Sequence, residues 1–157
     1  MRRLMLVPSL ALALALVSAS SAGAALYLGG GKGIDVVLRA QGRQLVVARV
    51  SARLYCVAGD GDRYFSRVKK LYATPGSPLR LDRNGKFRWD SSGRPQEEGF
   101  TEEEFFAGRV GSNFVTGRFE YFRSINLRQR RVKCQTGSYP FGPSAVKFRA
   151  RRQVGGS

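Results

Sequence analysis

The sequence predicts an all-β domain: an antiparallel β-sandwich or small β-barrel of about seven to eight short strands, with one disulfide. Three observations predict it. A long run around residue 50 alternates apolar and polar residues with a period of two. Short β-rich segments are separated by turn residues, Asn84-Gly85 being the sharpest signal. No segment after the N-terminal region sustains a helical period.

The first residues stand apart from that domain. Arg2 and Arg3 precede an apolar run from Leu4 to Val17, and small residues ending in Ala22-Gly23-Ala24 follow. Basic, apolar, small is the order of a cleavable signal peptide, assigned to residues 1–24. The apolar run is about fourteen residues, short of the roughly twenty that span a bilayer, so no transmembrane segment is expected in the mature chain. A secreted or extracytoplasmic location is the expectation. The rest divides into a flexible Gly-rich segment over 25–33, one β domain over 34–152 and a disordered tail over 153–157.

Within the domain, Ile34 to Ala40 reads as a strand and Gln41-Gly42 as a turn. The next strand puts Val46, Ala48, Val50, Ala52, Leu54 and Cys56 on one face, with Arg49, Ser51, Arg53 and Tyr55 on the other. Cys56 therefore faces the core. Val57 to Asp62 is a turn. Tyr64 to Tyr72 fits either a strand or a short amphipathic helix, and Pro75 and Pro78 end it. Leu79 to Trp89 reads as a hairpin around Asp82-Arg83-Asn84-Gly85. After a polar loop, Thr101 and Glu104 match a capping box and suggest one helical turn over Glu102 to Phe105. Phe106-Ala-Gly108-Arg-Val110 and Val115-Thr-Gly117-Arg-Phe119 then echo one another across Gly111-Ser112-Asn113, which predicts two paired strands bent at their glycines. Asn126 to Arg131 reads as a basic loop, Val132, Cys134 and Thr136 as one face of a strand, and Gly137 to Ser144 as a loop. A last strand sends Val146, Phe148 and Ala150 inward.

Cys56 and Cys134 are the only cysteines, and in an exported chain an even count reads as a disulfide. Closing a loop of nearly eighty residues is worth about 4 kcal/mol in the chain-entropy picture. The ordered set Arg53-Leu54-Tyr55-Cys56, the Asp82 to Phe87 turn, the glycine echo, Cys134-Gln135-Thr136-Gly137 and the terminal Val146 to Arg152 strand resembles a loose group of exported, single-disulfide β-domain proteins of high-GC bacteria. The likeness covers roughly Gly33 to Arg152. That group has no established activity, so the resemblance implies a fold and an address and no site residues.

Composition narrows the chemistry. The chain has no His, which excludes Ser-His-Asp and Cys-His nucleophilic sites and any His-bearing metal site. Gly29-Gly30-Gly31-Lys32-Gly33 opens no helix and is no phosphate loop. Glu97, Glu98, Glu102, Glu103 and Glu104 are the only concentration of acid, read as a solvated loop; a carboxylate-dependent hydrolase built on them is the least favoured alternative. No cofactor or metal is expected. Lys and Arg number 27 against 11 acids, and a signal peptide would remove only two of the cations. Such a surface favours polyanions. The candidate anion-binding residues are Arg49, Arg53, Arg128, Arg130, Arg131, Lys133, Lys147, Arg149 and Arg151, with Tyr55, Tyr64 and Tyr139 as stacking partners. The expected function is non-enzymatic association with an anionic polymer or lipid surface of the cell envelope. Nucleic acid would bind only nonspecifically. A structural or protein-interaction module is the alternative.

Overall fold

The computed structural model describes residues 23–92, 96–128, 130–137 and 144–154, with the backbone but not the side chain of Arg130. Residues 1–22 of the expected signal peptide, Tyr139, and 155–157 of the expected tail lie outside the described residues. Ten strands follow in chain order: β1 (Ala25–Gly31), β2 (Ile34–Gln41), β3 (Gln44–Ala58), β4 (Arg63–Ala73), β5 (Leu79–Arg80), β6 (Lys86–Asp90), β7 (Phe100–Val110), β8 (Phe114–Leu127), β9 (Arg130–Gln135) and β10 (Val146–Arg152). All pair antiparallel in one sheet of order β10-β1-β2-β3-β9-β8-β7-β6, with β4 and β5 on the second edge of β3 and β10 also pairing with β8.

Two long strands organise this sheet. Along one edge, β3 pairs first with β2 as far as Ile34 opposite Ala52, then with β9 from Gln135 opposite Tyr55. Along one edge, β8 pairs with β10 as far as Val146 opposite Phe119, then with β9 from Gln135 opposite Phe122. Both strands change partner at the same level, and Gln135 meets both of them there. The disulfide joins Cys56 to Cys134, direct cross-strand partners one residue beyond that level, with Cα atoms 4.1 Å apart. It lies inside, as the alternation in β3 predicts: Cys56 is fully buried and Cys134 nearly so.

The sheet curls so that distant strands touch. Tyr72 of β4 stacks on Phe106 of β7 at 4.8 Å and meets Trp89 of β6 at 5.1 Å, although β4 hydrogen-bonds only β3. Inside the curl, Leu38, Leu45, Ala48, Val50, Phe87, Phe106, Phe119, Phe148 and Ala150 form the core. The glycine echo pairs in register, Phe106 with Phe119, Gly108 with Gly117 and Val110 with Val115. A Cβ on Gly117 would stand 2.4 Å from both the Ala107 carbonyl oxygen and the Phe148 ring. The glycine is therefore a socket for a core aromatic.

Several expectations are corrected. The Gly-rich segment 25–33 is not a flexible lead: it forms β1, between β2 and β10. A Cβ on Gly29 would lie 2.4 Å from the Arg149 carbonyl oxygen, so the glycines let β10 approach. Val46 is only half-buried, while Leu45 is fully buried. A bulge sets Val46 as the extra residue between the pairs Arg39–Val47 and Ala40–Leu45, and every residue before it changes face. The Asp82 turn forms, its carboxylate accepting from the Asn84 and Lys86 N–H groups at 2.8 Å. Its arms do not pair with each other, however: β5 joins β3 and β6 joins β7. Thr101 to Phe105 is strand and not a helical turn, because eleven ladder pairs with β8 outweigh a local cap. Tyr64 to Tyr72 is strand. Asn126 and Leu127 belong to β8, and Arg130 and Arg131 to β9, so the basic loop is a tight hairpin end. In the expected tail, the Gln153 N–H donates to the Leu26 carbonyl at 2.8 Å.

Gly117→Ala is expected to cost about 2 kcal/mol by overpacking, read as a lower urea midpoint, with partial recovery when Phe148→Leu is added. An unchanged midpoint would show that the socket is not needed. Reducing the disulfide, which spans 78 residues, is expected to cost about 4 kcal/mol in the same measurement.

Candidate functional site

Where β3 and β8 change partners the sheet parts, and a cavity of about 660 Å³ opens. The β1–β2 turn supplies Lys32 and Gly33, β3 supplies Arg53, Leu54 and Tyr55, β4 supplies Phe65, and Gly137, Ala145, Val146 and Lys147 complete the lining. Arg53 is held by its backbone, whose N–H donates to the Gly33 carbonyl at 2.7 Å. The opposite bank is set by Thr136: its N–H donates to the Tyr121 carbonyl at 2.9 Å, and its Oγ1 accepts the Tyr121 N–H at 3.0 Å. The Arg53 guanidinium lies over the Phe65 ring at 4.0 Å. Tyr55 meets Phe65 edge to face at 5.8 Å. The buried Gln135, directly opposite Tyr55, has no hydrogen-bond partner for its side-chain nitrogen among the described residues.

The candidate cations fall into two groups. Arg53 and Lys147 line the cavity. Arg149 and Arg151 continue the exposed face of β10, with Arg149 over the Phe114 ring at 3.8 Å. Arg131 and Lys133 are exposed on β9, and Arg128 sits at the β8–β9 turn, beyond the Tyr55–Gln135 pair. Arg49 lies apart in a shallow groove with Asp35, Val37 and Leu71. The disulfide thus gathers β3 with β9, while the partner change gathers β3 with β10. Among the described residues, none of these cations is ion-paired with a carboxylate. Like charges even face each other, Arg53 opposite Arg67 and Lys147 opposite Arg118, an arrangement that disfavours the bare sheet. Lys32, Phe65, Arg67 and Arg118 escaped the sequence reading. The fold brings Lys32 and Phe65 to the cavity, and the register sets Arg67 and Arg118 opposite Arg53 and Lys147, Arg67 in its pair with Asp35 and Arg118 over the Phe105 ring at 4.7 Å.

Four of the acids are engaged elsewhere. Arg67 pairs with Asp35 at 2.9 Å, and Arg88 with Asp90 at 2.7 Å. The bonds from Arg88 and the Ser92 N–H hold Asp90 down to about 2. Glu102 and Glu104 are not in a solvated loop: on β7 they point inward to the Lys70 ammonium, which pairs with both. Tyr121 donates to Glu102 at 3.1 Å and Tyr72 to Glu104 at 2.8 Å. Burial, then the bond shared with Glu102, raises Glu104 over the opposing pull of Lys70 and Tyr72. Burial also works to raise Glu102, but its bonds to Glu104, Lys70 and Tyr121 prevail and lower it. One carboxyl therefore keeps its proton more readily than the other. Lys70 is drawn the other way: desolvation lowers it, and the two carboxylates outweigh that and raise it. Burial raises both phenols, with the neighbouring carboxylates adding to it. The arrangement ties β4 to β7, which share no backbone ladder. Among the described residues, no group of three or more acids and cysteines is placed to hold a metal ion. Comparisons with protein-family models, with curated proteins and with solved structures return no match.

Lys70→Met is expected to destabilise the fold by about 2 kcal/mol at pH 7, since it strands partly buried carboxylates. Without the ammonium both carboxylates titrate higher, so they take up protons as pH falls through the carboxylate range and the difference from wild type closes. Urea denaturation at pH 7 and pH 4 checks this. A deficit independent of pH would mean that Lys70 acts by packing alone.

Proposed function

We propose that this chain is an exported, non-enzymatic domain that associates electrostatically with an anionic polymer or lipid surface of the cell envelope, through the outer face between β3 and β10. The observation that carries the reading is the seam. Lys32, Arg53 and Lys147 border one cavity, no carboxylate lies among its described lining residues, and Arg53 and Lys147 each stand opposite another cation. An excess of cations this large favours polyanions, and the seam is one place where cations border a concave wall. Export rests on the basic, apolar, small order of the first residues. It is consistent with β1 beginning at Ala25, directly after Ala22-Gly23-Ala24, because cleavage there leaves every strand intact. Among the described residues no helix is long and apolar enough to cross a membrane.

A second reading, a protein-interaction module, draws on β4. That strand hydrogen-bonds only β3 and exposes Phe65 and Leu71, both more than half accessible. Pull-down from the extracytoplasmic fraction at moderate salt, with and without Leu71→Lys, separates it from association with a polymer.

Retention of the chain on cell-wall material rich in anionic polymer is expected to fall steeply with added salt, as screened charges require. The double reversal Arg53→Glu with Lys147→Glu should weaken it by about tenfold, a loss of about 1.4 kcal/mol. Reversal of Arg128 and Arg131 together should cost less. Retention that persists in molar salt, or that ignores the reversals, would end the reading.

A further inference from the structure

Charge alone does not account for the make-up of the seam cavity. Its volume of about 660 Å³ suits a small ligand, since such pockets run to roughly 300–1,000 Å³. Gly33, Gly137, Ala145 and the edges of Leu54 and Val146 leave part of the lining short of bulky polar groups. Beside these stands Phe65, an aromatic ring that is 61 % exposed. The Arg53 guanidinium lies over that ring, 4.0 Å from its centroid, where the negative face of the ring favours it. Lys32 and Lys147 join the lining from the β1–β2 turn and from β10. Cations bordering one volume, with an apolar ring beside them, match a ligand that carries an anion on a body with an apolar face. A single-stranded nucleic acid would call for a track of successive stacking rings along a groove. Among the described lining residues one ring, Phe65, is exposed, and it stands beside a single hollow.

On the reading that the chain meets an anionic envelope polymer, we infer that the seam cavity seats one acidic sugar unit of that polymer: a pyranose ring bearing a carboxylate or a phosphate. Its anion lies among Lys32, Arg53 and Lys147, and the C–H face of the ring lies against Phe65, with Tyr55 as the side wall. Fixing one unit gives register on a repeating polymer, which spread charge does not.

The test titrates the full chain, by amide NMR and calorimetry at about 150 mM salt, with five probes. They are a galacturonic acid trimer, glucose 6-phosphate, a neutral galactose trimer, inorganic tripolyphosphate and hexathymidylate. The two acidic sugars separate a carboxylate from a phosphate on the ring. At least one is expected to saturate at one per chain, and Phe65→Ala and Lys147→Gln should each weaken it by about tenfold, while the neutral trimer does not bind. Tripolyphosphate should lose affinity with Lys147→Gln and be indifferent to Phe65→Ala. Phe65 and Lys147 are both exposed, so the variants should keep the wild-type amide spectrum away from the seam. If neither acidic sugar saturates while wall polymer is still retained, the cavity assignment fails and electrostatic association stands. If an acidic sugar saturates but polymer is not retained, the association fails and the cavity stands. Hexathymidylate as the sole probe sensitive to Phe65→Ala would transfer the site to nucleic acid and overturn the sugar.

Discussion

The six-residue β9 has both edges taken, by Tyr55 to Ala58 of β3 on one side and Phe122 to Leu127 of β8 on the other. This double pairing, stapled from within by Cys56–Cys134, is the constraint from which the rest of the sheet follows. β3 and β8 are the longest strands, 15 and 14 residues, and at one end a single strand separates them. At the other end β2, β1 and β10 stand between them. Strands spaced about 4.8 Å apart cannot keep two partners parallel when one strand fills one end and three fill the other. The pair must splay, and the backbone ladder breaks where the number changes.

That break has two faces. Toward the core, Phe148 fills the socket left by Gly117, and β10 closes onto Gly29 of β1. Toward solvent, the same separation leaves the hollow bordered by Arg53 and Lys147. A strand-spacing mismatch that would be a defect in a flat sheet thus becomes a concave surface.

Side chains complete what the ladders leave open. β4 has no hydrogen-bonded partner across the curl, yet Tyr72 stacks on Phe106, and Lys70 holds Glu102 and Glu104 of β7. Glu102 and Glu104 are thereby drawn inside, Asp35 and Asp90 are paired with arginines, and Arg53 and Lys147 are left facing other cations across their ladders. The local excess of positive charge at the seam arises from where the acids went as much as from how many cations there are.

The all-β class, the buried cysteine, the outward cations of β10 and the Gly108–Gly117 hairpin were legible in the sequence, because each is a matter of short-range period or turn chemistry. Where the reading went astray, long-range pairing overruled a local signal. Glycines that spell flexibility became a close-packed strand, a capping box was absorbed into the β7–β8 ladder, and a single bulge at Val46 reversed the face of Leu45. The sequence by itself determined that the chain is a basic β domain with one internal disulfide and without histidine chemistry. Only the tertiary structure decided which cations share a wall, since Lys32, Arg53, Phe65 and Lys147 lie far apart in the chain and meet through the register of β3 with its successive partners.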